Sequence, residues 1–157
     1  MEKEKKEPRY IRGKYTQAQK EATKRYLAKA YDVMGDSAMA EEHFKAYIQT
    51  APTDAVALNE LGEIMLEKGR YDEAVLYLEQ GLACEVVPNK GALMHDLVAA
   101  YEYNGQFDKA WELIQEYIAL FPEDEEAQRE YIFLKNRQMK PESTQDIEAS
   151  VSTEDAP

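Results

Sequence analysis

The chain has 157 residues, 44% hydrophobic and 32% charged, with one cysteine; that apolar share builds a packed core, and a lone thiol excludes a disulfide framework or a cysteine-built zinc site. With 19 Lys and Arg against 31 Asp and Glu the net charge is −12, opposite in sign to that of a typical binder of duplex nucleic acid. No apolar run reaches the roughly 18 residues of a membrane span, and the charged start Met1-Glu-Lys-Glu-Lys-Lys shows no secretory pattern, so a soluble, cytoplasmic domain is expected.

Taken in chain order, residues 1–15 are basic, carry Pro8 and Gly13, and read as a flexible arm. Thr16-Gln-Ala-Gln19 is a capping-box pattern that opens a first long helix. Residues 1–30 hold ten Lys and Arg against four Asp and Glu, a balance of +6 that leaves −18 for the remainder.

From there the chain repeats itself. Gly35-Asp-Ser-Ala-Met-Ala40, Gly69-Arg-Tyr-Asp-Glu-Ala74 and Gly105-Gln-Phe-Asp-Lys-Ala110 are three versions of one phrase, their glycines 34 and 36 residues apart. At equal offsets before each glycine stand Leu27 and Tyr31, Leu61 and Met65, Leu97 and Tyr101. Each is an i,i+4 pair on one helical face. The glycine after each pair suits the left-handed conformation that ends a helix. Asp72 and Asp108 then fall in the first turn of the next helix, where the dipole favours an acid. Ala40, Ala74 and Ala110 leave room for two helices to cross closely. Pro52, Pro88 and Pro122 close the units, with two extra residues in the second, around Cys84-Glu-Val-Val87. After Pro122, the acids from Glu123 to Glu126 open a last helix, in which Ala127, Tyr131 and Leu134 form one apolar stripe. Residues 140–157 have too little apolar surface to order themselves and read as an acidic tail.

Over residues 21–124 the pattern resembles the tetratricopeptide repeat family. Its middle unit carries Leu58, Leu61-Gly62, Tyr71, Ala74, Leu78 and Gly81; its third carries Met94, Leu97, Tyr101, Phe107, Ala110 and Ile114. The first unit departs from it at Lys24 and Ser37. The resemblance implies an all-α, right-handed α-solenoid of three helical hairpins plus a C-terminal capping helix. The expected domain spans 16–139, with repeats at about 21–54, 55–90 and 91–124 and the capping helix at about 123–138. In such a stack the first helix of each pair lines the concave side. The expected peptide-binding residues are therefore Arg25, Lys29, Asn59, Glu63, Leu66, His95, Glu102, Tyr103 and Phe133: a groove basic at one end, acidic in the middle and apolar at the far end. A Lys or Arg of the partner is expected to face Glu63 and Glu102.

Family members that hold the C-terminal tails of cytosolic heat-shock chaperones use basic residues on the first helix of the third repeat. Ala92 and Asp96 occupy the matching positions here, so that clamp is not implied, although Asn59 matches. No catalytic or metal-binding constellation stands out. His43 and His95 fall in different units, His43 is expected on an exterior face, and Cys84 reads as a buried structural thiol. The expected function is non-catalytic binding of a protein or peptide in the groove, as an adaptor or assembly factor. The chain is expected to be a cytoplasmic monomer with no cofactor, metal, nucleic-acid or membrane partner. The alternative is a holdase for a secreted or membrane-inserting client, by general similarity to small acidic secretion chaperones.

Overall fold

The computed structural model describes residues 17–139; the expected arm, the capping residue Thr16 and the expected tail lie outside them. Seven helices and no strands are found among the described residues: α1 (Gln17–Val33), α2 (Ser37–Ile48), α3 (Ala55–Glu67), α4 (Tyr71–Leu82), α5 (Lys90–Tyr103), α6 (Phe107–Leu120) and α7 (Glu125–Gln138). None is long and apolar enough to cross a membrane. The chain divides into two compact units at Ala51 and Pro52.

The three repeated phrases become three copies of one backbone turn. Gly35, Gly69 and Gly105 have φ of 79°, 68° and 72°, where a side chain is strained and glycine is not. Each glycine N–H donates three residues back, to the carbonyls of Asp32, Leu66 and Glu102. The next N–H, of Asp36, Arg70 or Gln106, donates to Tyr31, Met65 or Tyr101. This pair of bonds satisfies carbonyls that a helix end leaves open, and it reverses the chain into the next helix.

In the first unit α1 packs on α2. Ala28, Ala40, Phe44 and Tyr47 are buried, and Asp36 caps α2 by accepting from the Met39 N–H at 3.1 Å. One equivalence of the repeat does not hold here, and one expectation fails. Leu27 is 42% exposed, whereas its counterparts Leu61 and Leu97 are buried. The reason is coverage: within its unit α1 meets α2 alone, whereas α3 and α5 each pack against more than one helix. His43 is not on an exterior face. Its ring is half-buried and stacks on Tyr31, with centroids 5.1 Å apart and planes 6° from parallel.

The second unit stacks the hairpins α3–α4 and α5–α6 and closes on α7. Small residues set the spacing. A Cβ on Gly62 would stand 2.5 Å from Leu78 Cγ, and one on Gly81 would stand 2.7 Å from Leu93 Cδ1. Ala74 and Ala110 are fully buried, as are Leu58, Leu61, Ile64, Met65 and Met94. Aromatic contacts join successive hairpins: Tyr71 stacks on Tyr103, and at the equivalent positions Arg137 lies over the Phe107 ring, 3.6 Å from its centroid. Trp111 stacks on Tyr131 and so covers α7. Asp54 and Asp124 cap α3 and α7, each accepting two backbone N–H groups.

The prolines do not end the helices directly. The second helices stop at Ile48, Leu82 and Leu120, upstream of Pro52, Pro88 and Pro122. Proline disfavours the helical conformation in the residue before it, so the chain leaves the helix earlier. The loop after α4 carries Cys84, which is half-buried and not in the core. Its thiol donates to the Gln80 carbonyl at 3.4 Å. Burial, then the charge of Asp54, raises its pKa.

Candidate peptide-binding face

The expected binding residues distribute over both units. Arg25 and Lys29 are half-buried on α1 of the first unit. Lys29 pairs with Asp32 at 3.0 Å, and the Arg25 guanidinium lies 5.7 Å from the centre of the Tyr26 ring. The others belong to the second unit: Asn59, Glu63 and Leu66 on α3, His95, Glu102 and Tyr103 on α5, and Phe133 on α7.

Asn59 is not an open groove residue. It is 3% exposed, and its amide nitrogen donates to Glu63 Oε1 at 2.7 Å and to Asp96 Oδ2 at 3.0 Å. Both partners are acceptors, so only the nitrogen can face them and the orientation of the amide is determined. Its Oδ1 is buried and accepts no hydrogen bond. The arrangement joins α3 to α5 and places two carboxylates beside the amide, one of them, Asp96, at a position where a clamp for an acidic tail would need a cation. Beside it, His95 Nδ1 lies 3.8 Å from Asp96 Oδ1. The Asp96 carboxylate raises the imidazole pKa against the effect of burial, with further help from Glu126 and Asp124.

Three of the expected residues come together. His95, Glu102 and Tyr103 line a recess of about 330 Å³ with Val98, Ala99, Ile114, Glu126 and Glu130. Phe133 is 53% exposed and is not among its lining residues, and Leu66 is half-buried elsewhere on α3. Asp96, Glu126 and Glu130 were not on the expected list. The only available signal for the last two was their i,i+4 spacing off the apolar stripe of α7, which resembles an ordinary solvated face.

Glu102 is the most perturbed acid of the site. Its pKa is pushed up to about 8, by burial first, then by hydrogen bonding to Glu130 and by its charge, with Arg137 opposing. Its Oε1 is shut off from water and accepts no hydrogen bond. The consequence for stability has a definite sign. The unfolded carboxyl ionises near 4.5, so the contribution of this group is complete below that pH and is lost as pH rises towards 8. Glu102→Gln cannot ionise. Its melting temperature relative to the parent is expected to rise across pH 4.5–8 and to level off above that window. Parallel pH–melting curves for the two proteins would contradict the raised pKa of Glu102.

A larger recess, of about 520 Å³, lies at α4 and α6 with Leu97 and Tyr101 of α5. Most of its polar groups are already committed. Glu79 accepts from the Tyr101 hydroxyl at 2.7 Å and from Lys109 at 3.1 Å, and these bonds hold its pKa down against desolvation. Lys90 pairs with Glu116 at 3.2 Å. With most of its rim paired within the protein, this recess is the weaker candidate, and the α5–α7 recess is the better one.

Two family models, each described as tetratricopeptide repeat, match residues 34–87 and 91–134, together more than half of the chain. The chain belongs to the tetratricopeptide repeat family. Its fold class is the all-α tetratricopeptide solenoid. No curated protein matches the sequence. Among solved structures, the first such domain of Spaghetti (RPAP3), bound to the HSP90 peptide SRMEEVD, has a TM-score of 0.68 at 14% identity, over 80% of this chain and 100% of that one. The second domain of human RPAP3, in complex with the HSP70 peptide SGPTIEEVD, gives 0.64 at 16% identity, over 73% and 98%. MamA from Desulfovibrio magneticus RS-1 gives 0.67 at 23% identity, over 75% of this chain and 66% of that one, so the chain spans just under two thirds of its length. At these identities the likeness shows the fold.

Proposed function

We propose that this tetratricopeptide repeat chain is a non-catalytic module that binds a protein or peptide segment on the faces of α3, α5 and α7, and that it prefers basic segments. The observation that carries this reading is the Asn59 amide held between Glu63 and Asp96. With Glu102, Glu126 and Glu130 on the same helices, the face is acidic. The RPAP3 domains were solved with peptides ending in EEVD; a tail of that charge would meet carboxylates here. In this reading the chain is a cytoplasmic, monomeric adaptor or assembly factor with no membrane partner, and its net charge of −12 argues against nucleic acid. The division into an arm at 1–15, a repeat domain at 16–139 and a tail at 140–157 belongs to the same proposal. Arg25 and Lys29, in the first unit, are proposed as a separate contact for acidic residues.

A displayed library of random peptides, selected on the purified protein and measured by fluorescence anisotropy, tests the reading. Enriched peptides are expected to carry Lys or Arg and to bind more weakly as salt rises. Reversing Glu63 and Glu102 together to Lys, in a protein that melts like the parent, is expected to weaken binding by about tenfold or more. Phe133→Ala reports on the apolar contact alone. Enrichment of acidic peptides, or unchanged binding by the folded double reversal, would overturn the assignment of this face.

A further inference from the structure

We propose that an exposed apolar stripe on α1 is a docking surface for one acidic amphipathic helix of a partner protein. This goes beyond the acidic face of α3, α5 and α7 and does not depend on it. Thr23, Tyr26, Leu27, Ala30, Val33 and Met34 are all exposed, and at 3.6 residues per turn they share an arc of about 120°. Tyr26 is 67% exposed, and Val33 and Met34 are each 77% exposed. Met34 continues the helical bonding, its N–H donating to the Ala30 carbonyl at 3.0 Å. The Thr23 hydroxyl is already satisfied, since it donates to the Gln19 carbonyl at 2.8 Å. The stripe is apolar along its length, and a contiguous apolar surface of this kind marks a contact.

The repeat itself indicates what covers such a face. Thr23, Leu27 and Ala30 hold the places of Leu93, Leu97 and Ala100 in α5, and those three are buried. A helix supplies part of that cover. α4 packs on α5, close enough that a Cβ on Gly81 would stand 2.7 Å from Leu93 Cδ1. No helix precedes α1 among the described residues. Charge then selects the kind of helix. Lys20 and Lys24, both exposed, border the stripe on one side; by helical spacing Arg25 and Lys29 border it on the other. The only acids of α1 are Glu21 and Asp32. The fitting partner is apolar at i, i+3, i+4 and i+7, with Asp or Glu on the flanks of that face. Residues 23–34 run about 18 Å at 1.5 Å per residue, which a partner helix of three or four turns spans.

Other occupants fit less well. A basic helix would meet Lys20 and Lys24. Within the chain itself, residues 1–16 hold six Lys and Arg against three Glu, the same sign as the flanks. A second copy of α1 would bring two net-basic helices together. An anionic bilayer matches the flanks and repels the rest of the molecule, whose net charge is −12.

The test titrates the full-length, methyl-labelled protein with three capped helical peptides of about 16 residues. One carries Leu on one face with Glu on its flanks; the second has Lys in place of Glu, and the third has Ser in place of Leu. The Leu–Glu peptide is expected to shift the Leu27, Ala30, Val33 and Met34 methyl signals saturably and to bind roughly tenfold more tightly than either control. Reversing Lys20 and Lys24 together to Glu is expected to weaken its binding about tenfold at low salt and less at high salt. Val33→Ser combined with Met34→Ser is expected to weaken it several-fold at either salt. All four positions are exposed, so both double variants are expected to melt like the parent. Equal binding of the Leu–Lys peptide, unmoved α1 methyls, or full affinity in both folded variants would overturn the proposal. Phosphatidylserine vesicles that move these methyls when the Leu–Glu peptide does not would overturn it in favour of a membrane contact. A dimer that both variants abolish, without peptide binding, would overturn it in favour of a second copy. Basic peptides selected on α3, α5 and α7 are expected to bind both variants as they bind the parent, so the two readings fail separately.

Discussion

Replacing Leu78 with Ala is expected to destabilise the second unit by about 2–5 kcal/mol. Leu78 is 0% exposed, and its Cγ lies where a Cβ on Gly62 would come within 2.5 Å. It therefore rests directly on the backbone of α3. Removing its isobutyl group loses the transfer free energy of the buried atoms and opens a cavity. The surrounding helices cannot close that cavity without sliding, because Gly62 already lets α3 and α4 approach as near as backbone allows. Urea unfolding followed by far-UV circular dichroism reads the effect as a lower midpoint at an unchanged slope. A loss below about 1 kcal/mol would mean that the α3–α4 seam is not packed as described.

The second large effect runs in the opposite steric direction. Ala110→Leu is expected to cost about 1–3 kcal/mol through overpacking, because Ala110 is fully buried on α6, in the same position of the repeat as Ala40 and Ala74. Ala110→Gly is the control. It removes volume and loses about 0.5–1 kcal/mol through backbone entropy. A Leu variant that melts with or above the Gly variant would show spare room at the crossing and would contradict the repeat register.

These two sites also show which parts of the molecule are local. The turns at Gly35, Gly69 and Gly105 were legible because a positive φ is a property of one residue and its immediate neighbours. The acids that open α4 and α6, and the capping aspartates, act over a single turn. The buried alanines were legible because three copies in phase remove the ambiguity that any one of them carries.

What remained illegible depends on coverage and on pairs distant in the chain. Leu27 and Leu61 hold the same place in the pattern, yet one is exposed and the other buried, since burial depends on how many helices surround a face. Asn59 meets Asp96 across 37 residues, which turns an expected ligand contact into a tie between α3 and α5. Glu102 meets Glu130 only because α7 folds back against the last hairpin. Short-range conformational preference and three-fold repetition, both written in the sequence, determined the hairpins, their turns and their crossings. The tertiary structure decided which polar groups meet, which carboxylates lose their water and where a recess opens, because desolvation and charge–charge interaction act through space and have no period in the chain.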